Sequence, residues 1–436
     1  MLFFSDHSSP RLVYILDLIS SEIFNERIIL TSDKQSFIIH AGAKLNYSEK
    51  RISEHEFFIQ PQGLLFEKEI RAQAITSFNF SGRTAFFKTN GDFPFDIFSA
   101  AFFLVSRYEE YLPFHPDRYG RFPVDSSLAY KEKFLDIPLV NYWLEDFKTV
   151  LRQKYPDLIF RMKDFKFIPS YDIDIAYSYK YKGLKRNVGG FFRSLVGGQW
   201  KYFVDRWDVL FNKKKDPFDS YEWLDSLHLY CRTRAYYFFL MAKKQVGVDK
   251  NISPDRPEMR SLISYHANGY TVGIHPSWQS GDEEAVLMEE VDELEGITGS
   301  PVKYSRQHYI RINLPQTYRR LLDLGIEKDF SMGYGSSNGF RASIASSFYW
   351  YDLQAEKQTT LMLFPFCFMD SNSFYEDQLT PKAAFAELMK YYRNIKLVNG
   401  LMVTIWHNHF FGTDPMFAGW KEVYEVFLKD QIYWDM

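Results

Sequence analysis

A chain of 436 residues exceeds the size at which one hydrophobic core usually stops growing, so two domains are expected. Its 46% hydrophobic and 25% charged content excludes a disordered or fibrous chain, and a net charge of -3 excludes a global field for nucleic acid or an anionic membrane. Any such attraction has to be local. Cys231 and Cys367 both lie in apolar, strand-like runs, which argues against a disulfide framework and fits a reducing compartment.

The opening MLFFSDHSSPRLVYILDLIS lacks a basic stretch ahead of its apolar residues and is interrupted by Asp6 and Asp17, so it does not read as a signal peptide. No apolar run reaches the roughly 20 residues of a membrane span, and a cytoplasmic protein, at most peripheral to a membrane, is expected. Residues up to about 90 alternate short apolar runs with polar breaks, the pattern of short strands and turns. Ile97, Phe98, Ala101, Phe102, Val105 and Tyr108 then follow helical spacing until Pro113, and a second amphipathic helix starts near Pro138 and runs through Leu151. Between these helices, FHPDRYGRFPVDSS is rich in turn formers. Glu109 and Glu110 of SRYEEY are expected on a solvated face beside Arg107, because adjacent helical residues diverge by about 100°.

Beyond about residue 165 the rhythm becomes strand, turn, helix, repeated. Strands are expected in KFIPSYD, AYYFFLM, YTVGIH, VKYSRQ, IEKDFS, TLMLFPF and MVTIWH, with helices such as PEMRSLISYHANG and LPQTYRRLLDLG between them. Such alternation argues for parallel strands covered by helices. The domains expected are an α+β accessory domain over 1–160 and a distorted (β/α) barrel of about seven strands over 161–436. An insertion from Lys182 to Lys215 carries nine Lys or Arg residues against Asp205 and Asp208, with Phe191, Phe192 and Trp200 among glycines. It reads as a solvated excursion over the barrel helices or, alternatively, as a basic aromatic lid making peripheral membrane contact through 182–216.

Chemically loaded residues recur where these strands end. Asp172 and Asp174 close the first, His275 the third, Arg306 and His308 the fourth, Asp329 the fifth and His407 the last. In a parallel barrel these ends converge on one mouth. His409 and His266 read as surface or structural histidines, and MGYGSSNGFRAS, with Arg341, as a substrate-facing loop rather than a phosphate loop, since it lacks the flanking strand and helix.

The order of these motifs, over roughly residues 165 to 430, resembles the polysaccharide deacetylases of the NodB-homology type, carbohydrate esterase family 4. SYDID resembles the first motif, and the resemblance implies Asp172 as general base and Asp174 as metal ligand. GIHPSW resembles the second, beginning at ligand His275. SRQHY resembles the third, implying Arg306 as the group that orients the base and Tyr309 as the residue whose backbone helps hold an oxyanion. Asp329 falls where an acid braces that arginine, and His407 of IWHNH where a histidine protonates the leaving group. Trp278, Tyr309 and Arg341 are the expected substrate contacts. The N-terminal part, with SRYEEYLPF and DRYGRF, resembles an uncharacterised region that precedes such barrels in some bacterial proteins.

One position departs from the pattern. Its second histidine, four residues after the first, is Gln279 here, and a neutral amide oxygen is a poor substitute for a zinc ligand. His308, at the family's proline position on the adjacent strand end, offers a replacement, which makes Asp174, His275 and His308 the expected ligands of a divalent metal, zinc by preference. The leading function is removal of N- or O-linked acetyl groups from a bacterial surface polysaccharide or its oligosaccharide precursor. The alternatives are a catalytically silent barrel that binds glycan or regulates a partner, and a metal hydrolase acting on another amide. Oligomeric state is left open.

Overall fold

The structure, a computed structural model, describes residues 1–432 apart from the Lys185 side chain. The N-terminal part contains β1 (Leu2–Phe4), α1 (Pro10–Ile23), β2 (Ile29–Thr31), α2 (Lys34–Ile39), β3 (Lys44–Asn46) and β4 (Phe57–Phe58). These are followed by β5 (Phe78–Phe80), β6 (Arg83–Ala85), α3 (Ile97–Val105), α4 (Leu128–Lys131) and α5 (Leu139–Lys154). The first four strands form a sheet in the order β2-β1-β3-β4 with every pair parallel, so this part is helix-connected α/β with an added β5-β6 hairpin. Helix α1 falls where only short strands were expected. Ser9 caps it by accepting from the Leu12 amide, Pro10 suits its first turn, and Leu12, Ile15, Leu16, Ile19 and Ile23 are buried on one side.

The second part runs through β7 (Lys166–Ile173), α6 (Leu184–Val196), α7 (Trp200–Leu210), α8 (Tyr221–Cys231), β8 (Tyr236–Leu240), α9 (Pro257–Gly269) and β9 (Thr271–His275). It continues with α10 (Glu284–Thr298), β10 (Tyr304–Ser305), α11 (Gln316–Asp323), β11 (Lys328–Asp329), β12 (Phe348–Asp352) and β13 (Lys357–Leu363). It closes with β14 (Phe368–Met369), α12 (Pro381–Leu397), β15 (Leu401–His407) and α13 (Trp420–Phe427). All seven expected strands are present, and β12 and β14 are added. They form one sheet in the order β12-β13-β11-β10-β9-β8-β7-β15-β14, parallel throughout except for β12 against β13.

The mixed α/β architecture expected as a distorted barrel of about seven strands carries nine strands, one of them antiparallel. Among the described residues no ladder joins the two edge strands. The sheet is nonetheless strongly curled. Strands β7 and β10 lie three positions apart, about 14 Å in a flat sheet, yet Arg306, just past β10, donates through Nη1 to Asp172 on β7 at 2.7 Å. Gly273 on β9 shows how tightly the inner face packs, since a Cβ there would meet the Phe238 ring at 2.6 Å. That ring lies 4.4 Å beneath the Arg306 guanidinium.

The two parts share one contiguous apolar core. Glu110, expected on a solvated face, is instead buried within a 3₁₀ turn over Tyr108–Tyr111, paired with Arg107 at 2.7 Å and with Arg341 at 2.6 Å. Arg341, expected to face substrate, is itself only 1% exposed and spends its guanidinium on Glu110 and the Gly333 carbonyl. Buried cations require partners, and this one finds its carboxylate across the interface between the two parts. Cys231 and Cys367 are buried and unbridged.

Candidate metal-dependent active site

The C-terminal ends of the parallel strands carry the polar cluster. Strand β15 pairs with β7 in a register that sets His407 opposite Asp172. One residue beyond β7, Asp174 lies at the base of an opening with 21% of its side chain exposed, and three histidine Nε2 atoms surround its carboxylate: His275 at 3.1 Å, His308 at 3.6 Å and His407 at 3.5 Å. Asp174, His275 and His308 each offer a ligand atom, all within 4.8 Å of one another.

Each histidine is oriented from behind. The Nδ1–H of His275 donates to the Arg306 carbonyl at 2.5 Å, which leaves its Nε2 lone pair facing Asp174. His308 Nδ1 meets Asp249 Oδ1 at 3.0 Å, and His407 Nδ1 meets Asp370 Oδ1 at 2.6 Å. Carboxylate or carbonyl partners of this kind fix tautomer and ring direction at metal sites. The His275 lone pair and Asp174 Oδ1 thus confront each other as two acceptors, and Oδ1 is a buried oxygen without a hydrogen-bond partner. Only a cation, a proton or a metal ion, relieves that opposition, and two imidazoles with a carboxylate are a donor set that suits a divalent transition metal.

The electrostatics agree. Burial alone would raise the Asp174 pKa, but His308 and His275 outweigh it and hold the carboxyl well below its usual range. Burial disfavours charge on His308, yet Asp174 and Asp249 push it up to about 9. Burial likewise opposes charge on His407, and Asp370 together with Asp174 holds it well above the usual imidazole value. Positive charge is therefore stabilised where these side chains meet.

Asp172 stands beside this centre. Its Oδ1 is held by Arg306, whose Nη2 donates to Ser170 Oγ at 2.7 Å and whose Nε donates to the Phe330 carbonyl at 3.1 Å. Its Oδ2 lies 3.9 Å from His275 Nε2. Asp329 is buried one strand away and accepts from Ser305 and Ser331, while Arg306 donates its hydrogen bonds to Phe330, Asp172 and Ser170 instead. Gln279 points out of the site, with its amide donating to the Lys244 carbonyl. His409, read as a surface residue, is buried against Phe218 and His407.

Trp278 and Tyr309 form an aromatic wall beside His308, with ring centroids 5.9 Å apart and Tyr309 4.8 Å from the His308 ring. Tyr119, from the N-terminal DRYGRF loop, completes it at 5.0 Å from Tyr309 and 5.9 Å from Trp278. Arg121 of the same loop donates to the Tyr309 carbonyl at 2.7 Å. Asp249, Asp370, Tyr119 and Arg121 were not singled out from sequence. Asp370 did carry a signal, since it ends a short apolar run in the same manner as the other strand-end residues.

The family model that matches, a family of unknown function (DUF7033), covers residues 1–156. No curated protein matches the chain. Solved structures similar to it include a Mycobacterium smegmatis protein assigned as a polysaccharide deacetylase, at 12% identity and a TM-score of 0.40, covering 62% of this chain and 84% of that one. A polysaccharide deacetylase from Bacillus cereus matches at 13% identity and a TM-score of 0.30, covering 62% and 89%. An allantoinase matches at 13% identity and a TM-score of 0.34, covering 61% and 83%.

Proposed function

We propose that this protein is a metal-dependent hydrolase that removes N- or O-linked acetyl groups from a surface polysaccharide or its oligosaccharide precursor. The observation that carries the reading is the convergence of Asp174, His275 and His308 between a fixed carboxylate, Asp172, and a fixed imidazole, His407. The choice of an acetylated glycan comes from the resemblance of the strand-end motifs to polysaccharide deacetylases.

A divalent cation bound by Asp174, His275 and His308 would supply the Lewis acidity that polarises an acyl carbonyl and acidifies water. The remaining work falls to the chain. Arg306 holds one oxygen of Asp172, so the other is free to take a proton from the attacking water. Across the opening, Asp370 keeps His407 protonated and aimed, so that Nε2 can pass a proton to the departing nitrogen or oxygen. Trp278, Tyr309 and Tyr119 offer flat faces on which a sugar ring can lie.

The test is acetate release from N-acetylated chito-oligosaccharides and from O-acetylated xylan, with metal content measured on the same preparation. Activity on either class that falls by roughly 10²-fold or more in Asp172→Asn and His407→Ala, with folding intact, supports the reading. A protein that holds stoichiometric metal and releases acetate from neither class would sink the substrate assignment. One that takes up no metal would sink the mechanism.

A further inference from the structure

The insertion after β7 folds as two short helices joined at Gly197-Gly198, and both leave apolar side chains in solvent. On α6, Leu184, Val188, Phe192 and Val196 recur every four residues, and they are 81%, 56%, 68% and 72% exposed. At about 100° per residue they span an arc of about 120°, with Arg193 about 60° and Arg186 about 80° beyond one edge of it. On α7 and the Phe211 that caps it, Trp200, Val204, Trp207 and Phe211 fall within about 60° and are also exposed. The facing sides of the pair are closed by Phe191 against Phe203 at 4.9 Å and by Arg206, which lies over Phe191 and donates to Asn187. The outward apolar side chains are thus those left exposed after the pair has packed, and a cluster of this kind marks an interaction surface.

Its charge indicates what covers it. Arg193, Lys201 and Lys213 have no ion pair among the described residues, whereas Lys214 and Lys215 are taken by Asp205, Asp219 and Glu222. Exposed Trp and Phe bordered by unpaired cations, on helices of 13 and 11 residues, describe an element that lies in a headgroup layer. Among the described residues, no helix is long and apolar enough to cross a membrane. We propose that the hairpin over 184–211 docks the protein on an anionic bilayer surface. The hairpin leaves the sheet at the end where Asp172 and Asp174 lie, so docking would bring the opening of the site close to the headgroups. The inference is independent of the reaction assigned to that site.

The experiment is cosedimentation of the full chain with vesicles of phosphatidylcholine alone and with 30% phosphatidylglycerol. At least tenfold stronger partitioning onto the anionic vesicles, reduced at high salt, is expected. Phe192→Glu with Trp200→Glu, both at exposed positions, should abolish binding without altering the far-ultraviolet circular dichroism. Arg193→Ala with Lys201→Ala and Lys213→Ala should remove the preference for anionic lipid. Three results overturn the proposal: no binding to the anionic vesicles, equal binding to both compositions, or a wild-type dimer in lipid-free buffer that the Phe192→Glu, Trp200→Glu variant converts to monomer. The last would make a second copy the occupant of this surface.

Discussion

Replacing Glu110 by glutamine tests whether the N-terminal part and the sheet are one cooperative body. The substitution keeps the shape of the side chain and removes its charge, leaving the Arg341 guanidinium, about 1% exposed, without its counterion and Arg107 with Glu109 alone. Burial opposes ionisation of Glu110, but Arg341 and Arg107 outweigh it and bring its pKa from 4.5 to about 2. At 1.36 kcal/mol per tenfold change, that displacement corresponds to roughly 3 kcal/mol, in line with the roughly 3–5 kcal/mol lost when one member of a buried pair is removed. Unfolding entropy scales with the number of residues melting together, so the same loss lowers Tm by roughly 3 °C if the whole chain melts as one and roughly 9 °C if about 160 residues melt alone. Scanning calorimetry at pH 7 separates the two, and the shared core favours the smaller shift within a single transition. Because the folded pKa lies below the unfolded one, this stabilisation is present above about pH 4.5 and is lost as pH falls towards 2. The gap between wild type and Glu110→Gln should therefore close at low pH. A change in Tm below 1 °C at pH 7, or a gap at pH 3 as large as the one at pH 7, would refute an ionised Glu110 between two arginines.

Other parts of the structure make separate predictions. Asp249→Asn removes the carboxylate behind His308, so zinc affinity measured by chelator competition should fall by roughly 10- to 100-fold; an unchanged affinity would show that His308 is not a ligand. Asp370→Asn should cut acetate release by roughly 10²-fold while metal content stays the same, and retained activity would remove His407 as proton donor. Tyr119→Ala deletes a ring that packs on Tyr309 and Trp278, a contact worth roughly 0.5–1.5 kcal/mol. Glycan affinity by titration calorimetry should drop up to about tenfold, and an unaltered affinity would confine the DRYGRF loop to a packing role.

The strand ends were legible because two signals coincide there, an apolar run that stops and a charged or imidazole side chain that follows it. Seven strands and the Asp174, His275, His308 grouping could be read in this way. Strand β14 holds only Phe368 and Met369 and continues the apolar run of TLMLFPF, so the run reads as one strand and Asp370 at its end goes unnoticed. Strand β12 is the antiparallel member of the sheet and lies outside the strand-helix rhythm. Helix α1 was missed because residues up to 90 were read as strands, although Ser9 and Pro10 mark a helix start. The Glu110–Arg341 pair had no local signature at all. The partners are 231 residues apart, and an acid on a helical pattern is usually solvated.

The altered ligand set and the N-terminal part meet at one turn. Gln279 is directed at Lys244, the proposed second imidazole ligand is His308 beyond the end of β10, and the chain immediately after His308 passes through Tyr309 at φ +58° and Ile310 at φ +53°. A β-branched residue in that region is costly, on the order of 1–3 kcal/mol, and persists only where its surroundings over-determine it. Arg121 supplies much of that constraint through its bond to the Tyr309 carbonyl, and Gly335 makes room for it, since a Cβ there would collide with the Arg121 guanidinium. Asp117 in turn fixes Arg121 through Nε at 2.8 Å. If this brace holds His308 in its ligating position, Arg121→Ala should weaken zinc binding by roughly tenfold, as a partner behind a ligand does, although Arg121 touches none of the ligands. Because Arg121 is buried and paired with Asp117, the thermal unfolding of the variant is compared with wild type so that a loss of affinity is read only on folded protein. Chelator competition on the purified variant reads the effect directly. Wild-type affinity in Arg121→Ala would mean that the turn holds its shape unaided and that the N-terminal part has no bearing on the metal centre.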